Sequence, residues 1–372
     1  MKANAVSKSN PWLFGFAVLT ALATLALIGI GGLVTSHEAG MSVPDWPTTY
    51  GYNMFLFPIN KWLGGIFYEH SHRLLASLVG LMTTVLAVWL WLKDSRPWLH
   101  WLGVAAFLLV VAQGVLGGLR VTLHMDSLGI YHATIAQLFF VLTCAIALFT
   151  SRFWLNLQTG GAGSPPPAGG AMGTSRPTGN SLRTLVLATT ILIFIQLIIA
   201  AAMRHQHAGL AISDFPLAHG RLWPDTGSDA IARYNAQRVS VNAENPITAF
   251  QIELQMAHRI VALAVLILTA GCAQQAWRRL GGKGAQTKLA LAWFALILFQ
   301  VGLGAATIWT NKAADVATAH VLVGALALAV GSLWCAIAFR DSVTAVHDRR
   351  TEDRHSPDAV TIGAQPAMTG NK

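Results

Sequence analysis

Four histidines inside apolar stretches are the residues of this chain best placed to do chemistry: His72 and His132, 60 residues apart, and His258 and His320, 62 apart. A lone histidine in such a stretch can be a packing residue bonded to a backbone carbonyl. Two matched pairs read differently, because two neutral imidazoles at one depth on neighbouring helices of a four-helix bundle can bind the two faces of a haem iron. Zinc would need a third or fourth ligand such as Cys, Asp or Glu at each site, and the stretches around His132 and His320 offer none.

The residues beside the pairs extend this reading. Glu69 stands three residues before His72, on the same helix face, and its counterpart before His258 is Gln255, which keeps the shape and loses the charge. An acid at one pair and an amide at the other point to proton chemistry at the first alone; an interfacial carboxylate favoured by the helix dipole is the alternative. Arg73 and Arg259 each follow a paired histidine directly, suited to bidentate pairing with a haem propionate or to snorkelling toward the membrane surface. His70 points away from His72 on the helix. His37, His124, His205, His207 and His219 fall in loops or at helix ends on one side, and His100, His347 and His355 fall on the other.

These residues need helices to position them. With 54% hydrophobic and 11% charged residues among 372, the chain has too little charge to cover a soluble domain. Apolar stretches long enough to span a bilayer fall at about 12–35, 67–92, 98–119, 128–150, 183–203, 251–276, 287–309 and 316–339. The first has no cleavage pattern of a signal peptide. The net charge of +9 is sorted by side: one set of segments holds Lys2, Lys8, Lys93, Arg96, Arg152, Arg176, Arg183, Arg278, Arg279, Lys283, Lys288 and five more in the C-terminal tail, while the longer loops opposite hold seven. The positive-inside rule then puts both termini in the cytoplasm, with the histidine pairs near the outer face, and leaves no call for nucleic acid. Cys144, Cys272 and Cys335 fall inside helices without CxxC spacing, as small apolar packers.

The chain also repeats itself. AGMSVPDWP (39–47) returns as AGLAISDFP (208–216), EHSHRLLA (69–76) as QMAHRIVA (255–262), and QGVLGGLRVT from Gln113 as QVGLGAATIW from Gln300. Between the copies lies a Gly/Pro/Ser-rich stretch, 160–180. The expected organisation is all-α and integral to the membrane: eight transmembrane helices in two parallel-repeat four-helix bundles. The N-terminal half is 1–150, a cytoplasmic linker 151–182, the C-terminal half 183–340, and a polar cytoplasmic tail 341–372.

At these residues the sequence resembles the haem A synthase family. The resemblance covers all eight helices and rests on Glu69-x-x-His72-Arg73, His132, His258-Arg259, His320 and the AGMSVPDW loop in combination. It implies oxidation of the C8 methyl of haem O to a formyl group, by successive hydroxylations and loss of water, giving haem A for cytochrome oxidase. It further implies that His72 and His132 hold the iron of the substrate haem O, that His258 and His320 ligate a permanent haem b, and that Glu69 is the catalytic acid. Implied partners are haem O, membrane lipid, a haem O synthase and an electron donor, in the cell inner (cytoplasmic) membrane; an oligomer is compatible with the sequence. Many bacterial members carry a cysteine pair in the first outer loop; this chain has none and resembles the cysteine-free branch that includes the mitochondrial-type enzymes. The rival reading is a di-haem b-type electron carrier, against which stand the Glu69/Gln255 difference and outer loops of about 30 and about 47 residues. A transporter would need broken helices or charges at the midplane.

Overall fold

The structure, a computed structural model, describes residues 10–159, 180–237 and 246–355. Nearly all of the stretch read as a Gly/Pro/Ser-rich linker, and the end of the tail, lie outside the described residues. Eight helices are long and apolar enough to cross a membrane: α1 (Pro11–Ser36), α2 (Gly65–Lys93), α3 (Pro97–Thr122), α4 (Leu128–Thr150), α6 (Asn180–His205), α8 (Ala249–Leu280), α9 (Ala285–Trp309) and α10 (Ala314–His355). Two short helices, α5 (Arg152–Thr159) and α7 (Ser228–Ala236), were not anticipated. The expected tether therefore begins as a helix, with Trp154 buried against Phe149 and under the Arg340 guanidinium. The backbone of α10 also continues as helix past the expected end of its span to His355.

Local chemistry sets the helix ends. Asn10 caps α1 by accepting the Trp12 and Leu13 N–H groups, with Pro11 in the first turn. Thr248 and Gln251 form a reciprocal capping box at α8. Within the spans, the Thr20, Thr24, Thr83 and Thr269 hydroxyls donate to carbonyls one turn back, which satisfies polar groups where no water reaches.

α1 packs on α2 and α4, and α3 closes against α2 and α4; α6 packs on α8 and α10, and α9 closes against α8 and α10. The first group is filled by Leu13, Val79, Leu86, Leu90, Leu99, Phe139 and Ile146, the second by Leu182, Val186, Ile297, Trp293 and Trp334. The groups meet where α1 and α4 touch α10 and α4 touches α6. Leu19, Leu22, Leu78, Leu81, Leu263 and Ile267 face outward, as lipid contact requires.

Candidate functional site

Each paired histidine lies within the first three turns of its helix, at the end of the molecule that carries the two long loops, 37–64 and 206–248. The His72 and His132 rings are 6.5 Å apart between centroids, and His258 and His320 are 6.4 Å apart, with interplanar angles of 71° and 58°. Bare backbone makes room for three of them: Cβ atoms at Gly31 and Gly304 would stand 3.1 and 3.2 Å from the His72 and His320 rings, and one at Gly117 3.4 Å from that of His132.

The loop preceding each pair is pinned from below by the residues flanking the histidines. Glu69 is 4% exposed; its Oε2 accepts the Val43 N–H at 2.9 Å and its Oε1 pairs with Arg73 at 2.7 Å. The Arg73 guanidinium also donates to the Val43, Asp45 and Thr48 carbonyls. In the other group Gln255 Oε1 accepts the Ile212 N–H at 2.7 Å, its Nε2 donates to the Ile212 and Gly209 carbonyls, and Arg259 donates to the Asp214 and Leu217 carbonyls. The arginines thus have a role that neither expectation named: both guanidinia donate to loop carbonyls, and Arg259 keeps its Nε without a partner. Glu69 and Gln255 share the task of accepting a loop N–H, and only Glu69 adds an ion pair.

Asp45 and Asp214 close the same turn in each loop, accepting from Tyr50 and Gly51 and from His219 and Gly220. The residues that donate have positive φ in both turns. Burial opposes ionisation of Asp45, but the Gly51 N–H, the Thr48 hydroxyl and the Tyr50 N–H outweigh it and hold the carboxyl below its ordinary value. A carboxyl with a lowered pKa stabilises the fold above the ordinary carboxylate range and loses that contribution as pH falls through the lowered value. The first loop is therefore expected to resist protease through mildly acidic pH and to open only below that range, whereas Asp45→Ala should be cleaved faster already at neutral pH; limited proteolysis across pH checks both.

His70, expected to point away from His72, is fully buried in this loop, with its Nδ1 3.3 Å from the Thr49 hydroxyl and its ring between Phe57 and Trp62. Trp46 of the same loop lies on Gly118 of α3. Sequence reading missed four glutamine and arginine roles. Gln196 Nε2 donates to the His258 carbonyl at 2.9 Å and stands 3.1 Å from His258 Nδ1. Gln300 Nε2 donates to the His320 carbonyl at 2.9 Å. Gln113 is buried with its Nε2 unpartnered, and Arg204 crosses from α6 to bond the Gly32 carbonyl and Ser36 hydroxyl of α1. The repeated Gln113 and Gln300 could have flagged two of these; Gln196 and Arg204 have no repeated partner to draw attention to them.

The pairs suit a metal whose other ligands come with it. Nδ1 of His72, His132 and His320 is buried without a hydrogen-bond partner, a costly state for a polar atom unless something else engages the ring. Among the described residues no group of three or more His, Cys, Asp or Glu could hold a metal ion, so two imidazoles would be the whole protein contribution at each site. An equatorial macrocycle completes such a set; tetrahedral zinc does not accept it. Glycines opposite the rings leave a flat face rather than a filled one.

Fold and site together define a multi-pass helical membrane protein with two facing imidazole pairs under looped caps. The chain belongs to the family of cytochrome oxidase assembly proteins, whose model matches residues 14–331. It is similar to a heme A synthase of Rhizorhabdus wittichii, at 26% identity over 356 residues, covering 87% of this chain and 92% of the relative. A heme A synthase of Caulobacter sp. is 25% identical over 350 residues (86% and 93%), and one of Alkalihalophilus pseudofirmus 24% identical over 311 residues (83% and 91%).

Proposed function

We propose that this chain is a haem A synthase that oxidises the C8 methyl of haem O to the formyl group of haem A by successive hydroxylations. The observation that carries the proposal is the pair of facing imidazole sets at 6.5 and 6.4 Å, in a chain whose relatives carry that name over most of their length. His72 and His132 hold the iron of haem O, and His258 and His320 hold a resident haem b. When bound, haem b supplies one-electron transfer. Glu69, one turn from His72, handles protons or stabilises developing positive charge beside the substrate, while the amide of Gln255 leaves the second site without that capacity. Loop 37–64, tied down through Glu69, Arg73 and Asp45, covers the substrate end and limits the access of water.

The two four-helix halves, 1–150 and 183–340, are copies of one unit joined by the segment 151–182, with 341–372 as a polar tail. The charge distribution favours the inner membrane with both termini cytoplasmic and both haem sites near the outer face. Haem O reaches the first site from a haem O synthase, and electrons reach the second from a separate donor. The absence of cysteine from the loops means that no thiol pair takes part.

Expression in cells that make haem O, followed by haem extraction and chromatography, tests the proposal: haem A or hydroxylated haem O is the expected product. A chain that retains two equivalent haems and yields neither product would be a di-haem b-type electron carrier instead. Gly31→Val gives a further check on site assignment. Its side chain meets the His72 ring, where even a Cβ stands at 3.1 Å, so haem bound at the first pair should fall several-fold while the spectrum of the second is kept.

A further inference from the structure

We infer that Gln196 and Gln300 are positioning residues that lock the second imidazole pair, and that the first pair lacks such locks so that its haem can leave. This deepens the proposed function and rests on its haem reading. The amide of Gln196 reaches both the Nδ1 and the backbone carbonyl of His258. Its Oε1 is buried without a partner. An imidazole bonded to metal through Nε2 carries an N–H at Nδ1; to accept it the amide turns Oε1 toward the ring and gives up its bond to the His258 carbonyl, and the ring contact it gains is the usual support of a metal-bound histidine. Gln300 spans from α9 to the His320 carbonyl and so braces the backbone of that histidine, with its amide 3.5 Å from Nε2 of the ring and none of it on Nδ1. It fits because residue 324 is glycine: a Cβ there would stand 3.2 Å from the Gln300 amide nitrogen.

The first pair has lost both devices. Leu27 stands as far from the end of α1 as Gln196 does from the end of α6, and it carries no polar atom. Gln113 keeps the place of Gln300, but Ala136 follows His132 by the same interval at which Gly324 follows His320, so the first pair carries a methyl where the second has bare backbone. The Gln113 Nε2 is buried and unpartnered; Nδ1 of His72, His132 and His320 is likewise unpartnered, so that among the four rings His258 alone has a side chain at Nδ1. One pair is braced from a third and a fourth helix. The other stands against the bare backbone of Gly31 and Gly117, with no side-chain amide on either ring.

The full chain, purified with its bound haem, gives the test. Haem transfer to excess apomyoglobin is timed, and the ferric low-spin EPR signal and midpoint potential of the haem at His258 and His320 are recorded. Gln196→Leu should speed loss of that haem at least tenfold and move its potential upward, because loss of the Nδ1 bond makes the ligand less basic. Gln196→Glu should restore retention and move the potential below that of the wild type, which a purely structural contact would not do. Leu27→Gln, which leaves the second pair untouched, should slow release from the first. Unchanged release and potential in Gln196→Leu, or unchanged release in Leu27→Gln, would overturn the inference while leaving the proposed function intact. Haem signals of the full chain that do not change when His258 or His320 is replaced would overturn both.

Discussion

Replacing His258 or His320 with alanine is expected to abolish the spectrum of the resident haem, with retention falling more than tenfold in the purified protein. Two imidazoles are all that the described residues offer at that site, so after removal of either, one histidine would be left to hold the group. The fold should survive. The rings are half-buried, and the core of this half is made by Trp293, Trp334, Val265 and their neighbours, which do not depend on them. Stripping a partner from the Gln196 amide costs about 1–3 kcal/mol, too little to unfold a bundle of this size. Haem stoichiometry, absorbance in the reduced state and helicity by circular dichroism separate ligand loss from unfolding. A haem spectrum that persists in both variants would remove these residues from the site. Product formation should also be lost in both, since the proposed route for electrons passes through the second site.

Glu69→Gln is expected to separate structure from chemistry. The second loop already answers whether an amide can stand in this place: Gln255 accepts the Ile212 N–H and donates to loop carbonyls. The variant should therefore fold and hold haem. Arg73 loses its carboxylate but keeps the Val43, Asp45 and Thr48 carbonyls as acceptors. The cost is therefore closer to the about 1.5–3 kcal/mol of one charged hydrogen bond than to that of an orphaned buried ion. Conversion of haem O, in contrast, should fall about 10²–10⁴-fold, the range for loss of a group that moves protons. Chromatography of the extracted haems, with substrate haem bound at the wild-type level, is the measurement. Product at the wild-type rate would confine Glu69 to holding the loop. Arg73→Ala should behave differently, because it frees three carbonyls and leaves Glu69 without its partner; loop closure and haem binding are both expected to suffer.

The spans are legible in the sequence because each is a long apolar run that only a helix can carry through lipid. Their ends shift where side chains outside the run act as caps, as Asn10 and Thr248 do. The histidines are legible as polar residues at matched spacing. What the arginines do is not, because their acceptors are carbonyls of Val43, Asp45, Thr48, Asp214 and Leu217. A backbone carbonyl looks the same at every position in a sequence, and a loop must be folded before it can present one. The short helix α5 hides for a related reason: Trp154 finds its place only against Phe149 and Arg340, the latter contributed from the far end of the chain.

The first helix lies between the first site and the helix that carries His320. Gly31 lies against the His72 ring, while Gly29 and Gly32, on its α10-facing side, lie against Leu322 and Thr318, the residues two places to either side of His320. α1 is thus a thin party wall, with backbone rather than side chain at each contact and close packing that leaves no slack on either side. A displacement of this helix that gives the His72 ring room presses on the face of α10 that carries Thr318 and Leu322. Substitutions along Gly29–Gly32 should accordingly combine non-additively with substitutions at His72, Thr318 and Leu322, so that residues far apart along the chain share one mechanical neighbour.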